Sequence, residues 1–297
     1  MVTPEMILSG LVGGFLNGGM YAVVAIGFIL IYKSSGVLNF AQGEMVMVGS
    51  YFIFLVISQL HFPIWAGLLL GVVLAGLFGW ILHETTLRPL IGQPLFSMMM
   101  MTVAYALFFR GIVPVIWGPS SLPAPQIIPV QTISIGIVKF SLVSLIGFIV
   151  ACLLTVGFVI YFKYTKQGLL LRSVCEDHQL AEATGINVRS VLDQVWIVSS
   201  MVALIAGILI SQTTSVGDVV AEVAMKGLPV ALLVGLESIS GALLGGVIIG
   251  VCEMLAALYL DPITKGGMMD TFPFIVMLIV ILIRPYGLFG LKRIERV

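Results

Sequence analysis

Long apolar runs alternate with short polar breaks along almost the whole chain. The runs lie at about 10–32, 37–60, 63–82, 95–117, 140–162, 191–212, 222–238, 241–260 and 271–290. Most of them are about 20 residues long, which is the length of helix that crosses the roughly 30 Å hydrocarbon core of a bilayer. The pattern therefore predicts an all-α polytopic membrane protein with eight to nine transmembrane helices.

The run at 222–238 is weaker than the others. It is short, carries Glu222 and Lys226, and contains Pro229 together with two glycines. Two interpretations stay open for it, a broken span and a re-entrant half-helix. Either one is tolerated at membrane depth only where protein or a water-filled cavity covers the backbone.

Composition supports the membrane assignment. Hydrophobic residues make up 60% of the 297 residues and charged residues only 9%, with a mean hydropathy of +1.17. A soluble domain of this length could not bury so much apolar surface. We predict a single transmembrane domain over residues 1–297. The net charge of zero gives no indication of nucleic-acid binding, and the three cysteines predict no disulfide framework.

The distribution of basic residues predicts the orientation of the chain. With the N-terminus outside, Lys33, Arg88 and the basic cluster at 163–172 all fall in the cytoplasm, as the positive-inside rule favours. The connection at 118–139, which has no charge before Lys139, then lies outside. Nine crossings also place the C-terminal basic residues in the cytoplasm: Lys292, Arg293 and Arg296. Eight crossings plus a re-entrant element remain the alternative. The N-terminus lacks a basic n-region, so we expect the first span to act as an uncleaved insertion signal.

Charge is concentrated in one connection, at about 163–193. Eight of the 28 charged residues lie there, in about a tenth of the sequence. Within it, residues 176–186 have acids first, alanine and leucine in the middle and Gly185 near the end. That order predicts a short helix with a C-terminal glycine stop. We expect this cytoplasmic loop to offer a polar surface to a soluble partner.

Ionisable and amide side chains inside apolar runs are the next candidates for function, because they are costly in lipid. Four ionisable residues qualify: Glu44, Arg110, Glu237 and Glu253. Arg110 lies near an expected boundary, to which its side chain can extend. Asn39 and Gln42 follow the first span, where amides need hydrogen-bond partners or line water. No acid or histidine chain is evident at mid-depth, which argues against a proton-driven transporter.

Sequence motifs for catalysis are missing. There is no Gly-x4-Gly-Lys-Ser/Thr loop for nucleotide, and Leu87 stands where a metalloprotease helix beginning at His83-Glu84 needs its second histidine. With three scattered histidines and no Cys/His cluster, we expect no metal site. We predict that the chain is not an enzyme and binds no cofactor.

Four segments together carry a resemblance to a known family. They are Gly36-Val37-Leu38-Asn39-Phe40-Ala41-Gln42-Gly43-Glu44, Asp177-x2-Leu180-Ala181-x-Ala183-Thr184-Gly185-Ile186-Asn187, Gly241-Ala242-x2-Gly245-Gly246 and Arg284-Pro285-x-Gly287-Leu288-Phe289-Gly290. In their order and spacing the chain resembles the LivH-type permease subunits of branched-chain amino acid ABC importers. Two positions depart from the family pattern: Gln42 stands where histidine is common, and Met101-Thr102-Val103-Ala104 where a Thr-Ile-Gly-like run is common.

The resemblance implies a set of partners and roles. The chain would form half of a pathway in a bacterial inner membrane, beside a related second permease subunit, two ATPase subunits that hydrolyse ATP, and an extracytoplasmic binding protein. Its charged loop would be the coupling helix that contacts an ATPase, through Glu176, Asp177, Ala181, Glu182, Ala183 and Gly185. Our candidates for the translocation pathway are Asn39, Gln42 and Glu44.

Three other functions remain as alternatives to an importer of small hydrophobic amino acids. An importer of the same class could move another small amide or carboxylate, such as urea, short-chain amides or aromatic acids. An ion-coupled secondary transporter would work without an ATPase. An intramembrane enzyme is the third alternative. We expect the pathway to be a weakly binding cavity, because the sequence shows no fixed partners for both charges of a zwitterion.

Overall fold

The computed structural model describes residues 4–86, 88–90, 93–176 and 178–290, without the side chains of residues 86, 178 and 179. Asp177 and the C-terminal basic residues lie outside these ranges. The described helices are α1 (Pro4–Ser35), α2 (Gln42–Ile53), α3 (Ile64–Thr86), α4 (Leu95–Trp117), α5 (Leu142–Tyr164), α6 (Lys166–Glu176), α7 (His178–Ala183), α8 (Val188–Thr213), α9 (Asp218–Met225), α10 (Gly227–Val234), α11 (Ala242–Tyr259), α12 (Asp261–Thr264) and α13 (Met268–Ile283).

Six helices within the described ranges are long and apolar enough to cross a membrane: α1, α3 with the 3-10 turn that follows it, α4, α5, α8 and α11. α13 is also strongly apolar but has only 16 residues. α2 is extended by a π-helical turn, Phe54–Gln59, that continues its axis. The prediction of an all-α polytopic membrane protein is confirmed.

α1 is the central helix of the protein. The side chains from Ala22 to Ile26 are completely buried, as are Phe28 and Ile29. α1 packs against α11, α5, α8 and α10. A helix that is apolar on all sides can lie in a protein core or in lipid, and α1 lies in the core. α3, α4 and α5 instead form the periphery and expose large apolar side chains, among them Trp65, Leu107 and Leu153.

Glycines let α1 and α11 approach closely in antiparallel orientation. A Cβ on Gly18 would overlap the carbonyl oxygen of Gly246, and a Cβ on Gly250 would overlap that of Gly14. Small residues at four-residue spacing are typical of such contacts, because little hydrophobic force drives helices together in lipid. The motif Gly246-x3-Gly250 therefore serves packing within this chain.

The weak run at 222–238 is an interrupted helix, as one of the two interpretations predicts. α9 and α10 meet at Lys226. Pro229 has no N–H to bond the carbonyl of Met225 and its ring crowds that group, so the helix breaks between them. Gly227 packs on Val24, and Gly235 lies beside Tyr32 in one cavity. α10 thus runs along α1 in the same direction as α1 itself, whereas α9 packs on α2.

The connection between α4 and α5 contains a hairpin for which the sequence analysis gave no prediction. β1 (Thr132–Ile135) pairs antiparallel with β2 (Val138–Ser141), and Ile135 opposes Val138. Gly136 begins the two-residue turn with φ of +61°, the conformation that such turns require. Strands of four residues are too short to stand out in a hydrophobic pattern.

Candidate coupling surface and translocation pathway

The predicted coupling segment folds as two helices, where the sequence analysis expected one helix over 176–186. α6 begins right after α5 and ends at Glu176, and α7 covers only His178–Ala183. Asp177, a predicted coupling residue, lies between the two helices and outside the described residues. α6 is held against α5 by Gly168, where a Cβ would overlap the carbonyl oxygen of Tyr161.

The glycine stop predicted for this segment is confirmed. Gly185 has φ of +84° and donates its N–H to the carbonyl oxygen of Glu182 at 2.9 Å. The N–H of Ile186 donates to the carbonyl oxygen of Ala181 at 3.1 Å. These two bonds form a Schellman motif, which ends α7 and turns the chain toward α8. A side chain at Gly185 would be strained in this conformation.

The predicted coupling residues divide between surface and core. Glu176, Glu182 and Ala183 are exposed, and so is Leu180, whose side chain is 64% exposed. Ala181 is buried, and its part in the contact with an ATPase stays a prediction. α7 thus presents one large apolar side chain beside an acidic one.

Basic residues lie on the same face of the protein as α7. Lys33, Lys163 and Arg172 line one cavity of about 280 Å³ together with Glu237. These three cations come from the ends of α1 and α5 and from α6. The structure thus brings together residues that the sequence analysis assigned to one side of the membrane.

Two ion pairs tie the end of α3 to the start of α8 on this face. The Glu84 carboxylate accepts hydrogen bonds from Arg88 and Arg189, both at 2.5 Å. Next to it, the buried ring of His83 pairs with Asp193. The Glu84–Arg189 and His83–Asp193 pairs are the two that join α3 to α8, and Arg88 pairs locally with Glu84.

The predicted pathway residues Asn39 and Gln42 are buried between α1 and α2. The Asn39 side chain donates to the Gln42 carbonyl oxygen at 3.3 Å and contacts the sulfur of Met45 at 3.1 Å. Its own oxygen accepts from the backbone N–H of Ala41. The amide nitrogen of Gln42 lies against Gly27 and has no hydrogen-bond partner among the described residues. Both amides are closed to solvent in this conformation.

Glu44, the third pathway candidate, forms an ion pair with Arg110. The Arg110 Nε donates to Glu44 Oε1 at 2.7 Å, which joins α2 to α4. Glu44 is buried, whereas the Arg110 side chain is 49% exposed. The sequence analysis expected the Arg110 side chain to extend to the membrane boundary. In the structure, its guanidinium instead pairs with the buried Glu44 carboxylate.

The two departures from the family pattern lie close together. The backbone N–H of Phe40 donates to the hydroxyl of Thr102 at 3.1 Å. Thr102 belongs to the run 101–104, and Phe40 lies two residues before Gln42. The departures at Gln42 and in the run 101–104 thus lie where the start of α2 contacts α4.

A triad of charges, two of them buried, joins α9–α10 to α11 and α13. The Lys226 ammonium donates to Glu253 at 2.6 Å and to Asp270 at 2.7 Å. Lys226 and Glu253 are buried, and Asp270 is exposed. The triad lines a cavity of about 450 Å³, here called the Lys226 cavity, which is also bordered by Asn17, Tyr21, Ser144 and Gln212.

The sequence analysis missed this triad. It named Lys226 and Glu253 separately, did not name Asp270, and expected no fixed partners for a zwitterion. A signal was present, since a charge in an apolar run requires an opposite charge somewhere in the fold. The 27 and 44 residues that separate Lys226 from its partners hid the pairing.

Comparison with known proteins shows the family to which the chain belongs. Residues 10–281 match the family model described as branched-chain amino acid transport system / permease component. The chain belongs to this family, which is a family of transport permeases.

Curated relatives match along nearly their whole length. The high-affinity branched-chain amino acid transport system permease protein LivH of Salmonella typhimurium is 28% identical over 98% of this chain and 97% of its own. The corresponding permease protein BraD of Pseudomonas aeruginosa is 26% identical over 99% and 100%. A probable LivH permease of Methanocaldococcus jannaschii is 28% identical over 98% and 95%. Among solved structures, PsaBC from Streptococcus pneumoniae in complex with Fab has a TM-score of 0.47 at 13% identity, over 94% of this chain and 91% of that one.

Proposed function

We propose that this chain forms half of the translocation pathway of an ATP-driven importer for branched-chain amino acids. Its partners are a related second permease subunit, two ATPase subunits and an extracytoplasmic binding protein. The observation that carries the proposal is the family match over residues 10–281. Relatives that match along nearly their whole length are named as branched-chain amino acid permeases, which supports it. The chain itself has no motif for ATP, so hydrolysis falls to its partners.

The alternatives receive less support. A carrier of urea, short amides or aromatic acids would need relatives of that kind, and those compared above are named for branched-chain amino acids. An ion-coupled transporter would work alone, whereas the relatives are named as permease components of a transport system.

We further propose nine crossings in a bacterial inner membrane, with the N-terminus outside and the C-terminus in the cytoplasm. In this arrangement α9 and α10 count as one broken crossing, which the course of α10 along α1 supports. The shared face of Lys33, Lys163 and Arg172 is then cytoplasmic, in keeping with the positive-inside rule.

α7 is the segment that we assign to the contact with an ATPase subunit. Its exposed Leu180 and Glu182 suit insertion into a groove with a basic rim, and the Schellman motif at Gly185 fixes the angle at which α7 leaves the membrane domain. Such coupling is a free energy shared by two distant sites, commonly about 1–3 kcal/mol. Asp177 completes this proposed set, along with Glu176 and Ala183.

The test is ATP hydrolysis by the complete importer carrying Gly185→Val or Glu182→Lys. Both variants should keep basal hydrolysis but lose its stimulation by loaded binding protein, about 5- to 150-fold for a coupling of 1–3 kcal/mol. Gly136→Val is the matched control, because it places the same strain at a positive φ in the hairpin between α4 and α5. Full stimulation in both α7 variants would reduce this segment to a plain connector.

The pathway role of Asn39, Gln42 and Glu44 stays a prediction. Since their side chains are closed off in the present conformation, contact with substrate would require α4 or α1 to move away from α2. Selectivity would then reside mainly in the binding protein, and the pathway itself would bind weakly.

A further inference from the structure

The Lys226 cavity combines fixed charges with polar and apolar walls. On one side the Ser144 hydroxyl donates to the Asn17 side chain at 2.6 Å, and the Gln212 amide donates to the carbonyl oxygen of Pro125 at 2.7 Å. Met20 and Ile210 add apolar surface. A volume of about 450 Å³ falls in the roughly 300–1,000 Å³ range of small-molecule sites, which are typically apolar with a few placed polar groups.

The charges in this cavity are complementary to a zwitterion. One ammonium faces two carboxylates, so the triad of Lys226, Glu253 and Asp270 has a formal charge of −1. A ligand that brings both an ammonium and a carboxylate keeps this net charge, but it places an ammonium beside the two acids and a carboxylate beside Lys226, so each charged group has an opposite charge next to it. A neutral amide or urea gains nothing from it, and a plain carboxylate would add a third negative group.

The cavity also lies at an interrupted helix. Lys226 is the residue at which α9 ends and α10 begins, and both halves are packed within the protein. Broken membrane helices place half-helix ends and charged side chains at the sites where transporters hold small charged substrates. The break that Pro229 causes therefore places Lys226 at the junction of two half-helices.

We propose that the Lys226 cavity binds the head group of an amino acid in transit, with Lys226 facing its carboxylate and Glu253 and Asp270 facing its ammonium. This inference rests on the proposed import function and names the chemical class of substrate for the pathway. Asp270 is 77% exposed at the cavity rim, so it is the carboxylate that moves aside as the ligand enters. Lys226 and Glu253 stay in place.

The same geometry explains why binding here is weak. Lys226 already has two carboxylate partners, so a substrate carboxylate only exchanges one ion pair for another. The net gain is small compared with that at an unpaired buried charge. A weak site suits a permease, which has to release its substrate after receiving it from the binding protein.

The rival interpretation is a purely structural ion triad, and Asp270→Asn separates the two. Because Asp270 is exposed, this variant should fold, whereas Lys226→Met would leave Glu253 buried without a cation. In the complete importer, Asp270→Asn should lower leucine uptake about tenfold, the effect of losing one charge-assisted hydrogen bond. Stimulation of ATP hydrolysis by binding protein should persist. Asp218→Asn, an exposed carboxylate of α9 outside the cavity, should behave as wild type.

A binding measurement without ATP or binding protein keeps this inference separate from the proposed function. Thr213→Cys, in a background without the native cysteines, places a thiol in the cavity lining. Millimolar leucine should slow its modification by a thiol reagent. Isocaproate, which lacks the ammonium, should not protect, and leucinamide, which brings no carboxylate for Lys226, should protect less than leucine.

In the Asp270→Asn variant, leucine should no longer protect the thiol at position 213, which would support a role for Asp270 in binding the ammonium. Equal protection by all three compounds, or none by leucine, would overturn the inference even in a complex that imports leucine. A complex that shows selective protection but no ATP-dependent import would instead contradict the proposed function.

Discussion

The glycine contact between α1 and α11 allows a sharp test of the packing. Gly18→Ala adds a Cβ that would overlap the carbonyl oxygen of Gly246, a backbone atom that cannot rotate away. The two helices must separate or shift, and overpacking of this kind typically costs about 1–3 kcal/mol. Alanine also favours a helix over glycine by up to about 1 kcal/mol, which opposes the loss.

Gly13→Ala isolates the packing effect. Gly13 lies on the same helix, and a Cβ there meets no atom within 4 Å. It gains the same helix propensity without the overlap, so the difference between the two variants should be about 1–3 kcal/mol.

The assay is thermal denaturation of the purified permease complex in detergent, followed by loss of the monodisperse peak in size-exclusion chromatography. Gly18→Ala should denature at a lower temperature than wild type, and Gly13→Ala at the same or a higher one. Equal denaturation temperatures for the two variants would refute the close approach of α1 and α11.

Three more predictions concern orientation, the Glu44–Arg110 ion pair and the pathway. An impermeant thiol reagent applied to sealed cells should label a cysteine placed at Ser120 but not native Cys175. Burial raises the pKa of the Cys175 thiol to about 11, so its labelling in opened membranes needs alkaline pH. Labelling of Cys175 in sealed cells would contradict the proposed orientation. Arg110→Leu leaves the buried Glu44 carboxylate without its half-exposed cation and should destabilise the permease by about 1–3 kcal/mol. Adding Glu44→Gln should restore most of that loss, and a double variant no more stable than the single one would contradict the pairing. Gln42→Leu should lower the transport rate with little change in apparent affinity for loaded binding protein, and a change in affinity alone would exclude Gln42 from the pathway.

The positions of helices were predictable where a proline or glycine marks each end of an apolar run. The run 95–117 corresponds to α4, because Pro94 precedes the helix and Gly118, with φ of +88°, ends it. The break in 222–238 was also foreseeable, since proline disrupts a helix through its own covalent structure.

Pairings between distant charges were not predictable in the same way. Glu44 and Arg110 are 66 residues apart, and Lys226 and Asp270 are 44 apart. Only the packing of α2 on α4 and of α10 on α13 brings them together, and a hydrophobic pattern does not encode which faces meet. The same limit applies to Ala181, since periodicity over six residues of α7 does not define its buried side.

Leucine uptake into proteoliposomes tests the central claim most directly. The vesicles carry this chain with its second permease and ATPase subunits, with loaded binding protein on one side and ATP available to the ATPases on the other. The proposed function predicts accumulation of leucine that requires both ATP hydrolysis and the binding protein, with no response to an imposed ion gradient. Uptake by the permease subunits alone, driven by a proton or sodium gradient, would contradict it and establish an ion-coupled transporter instead.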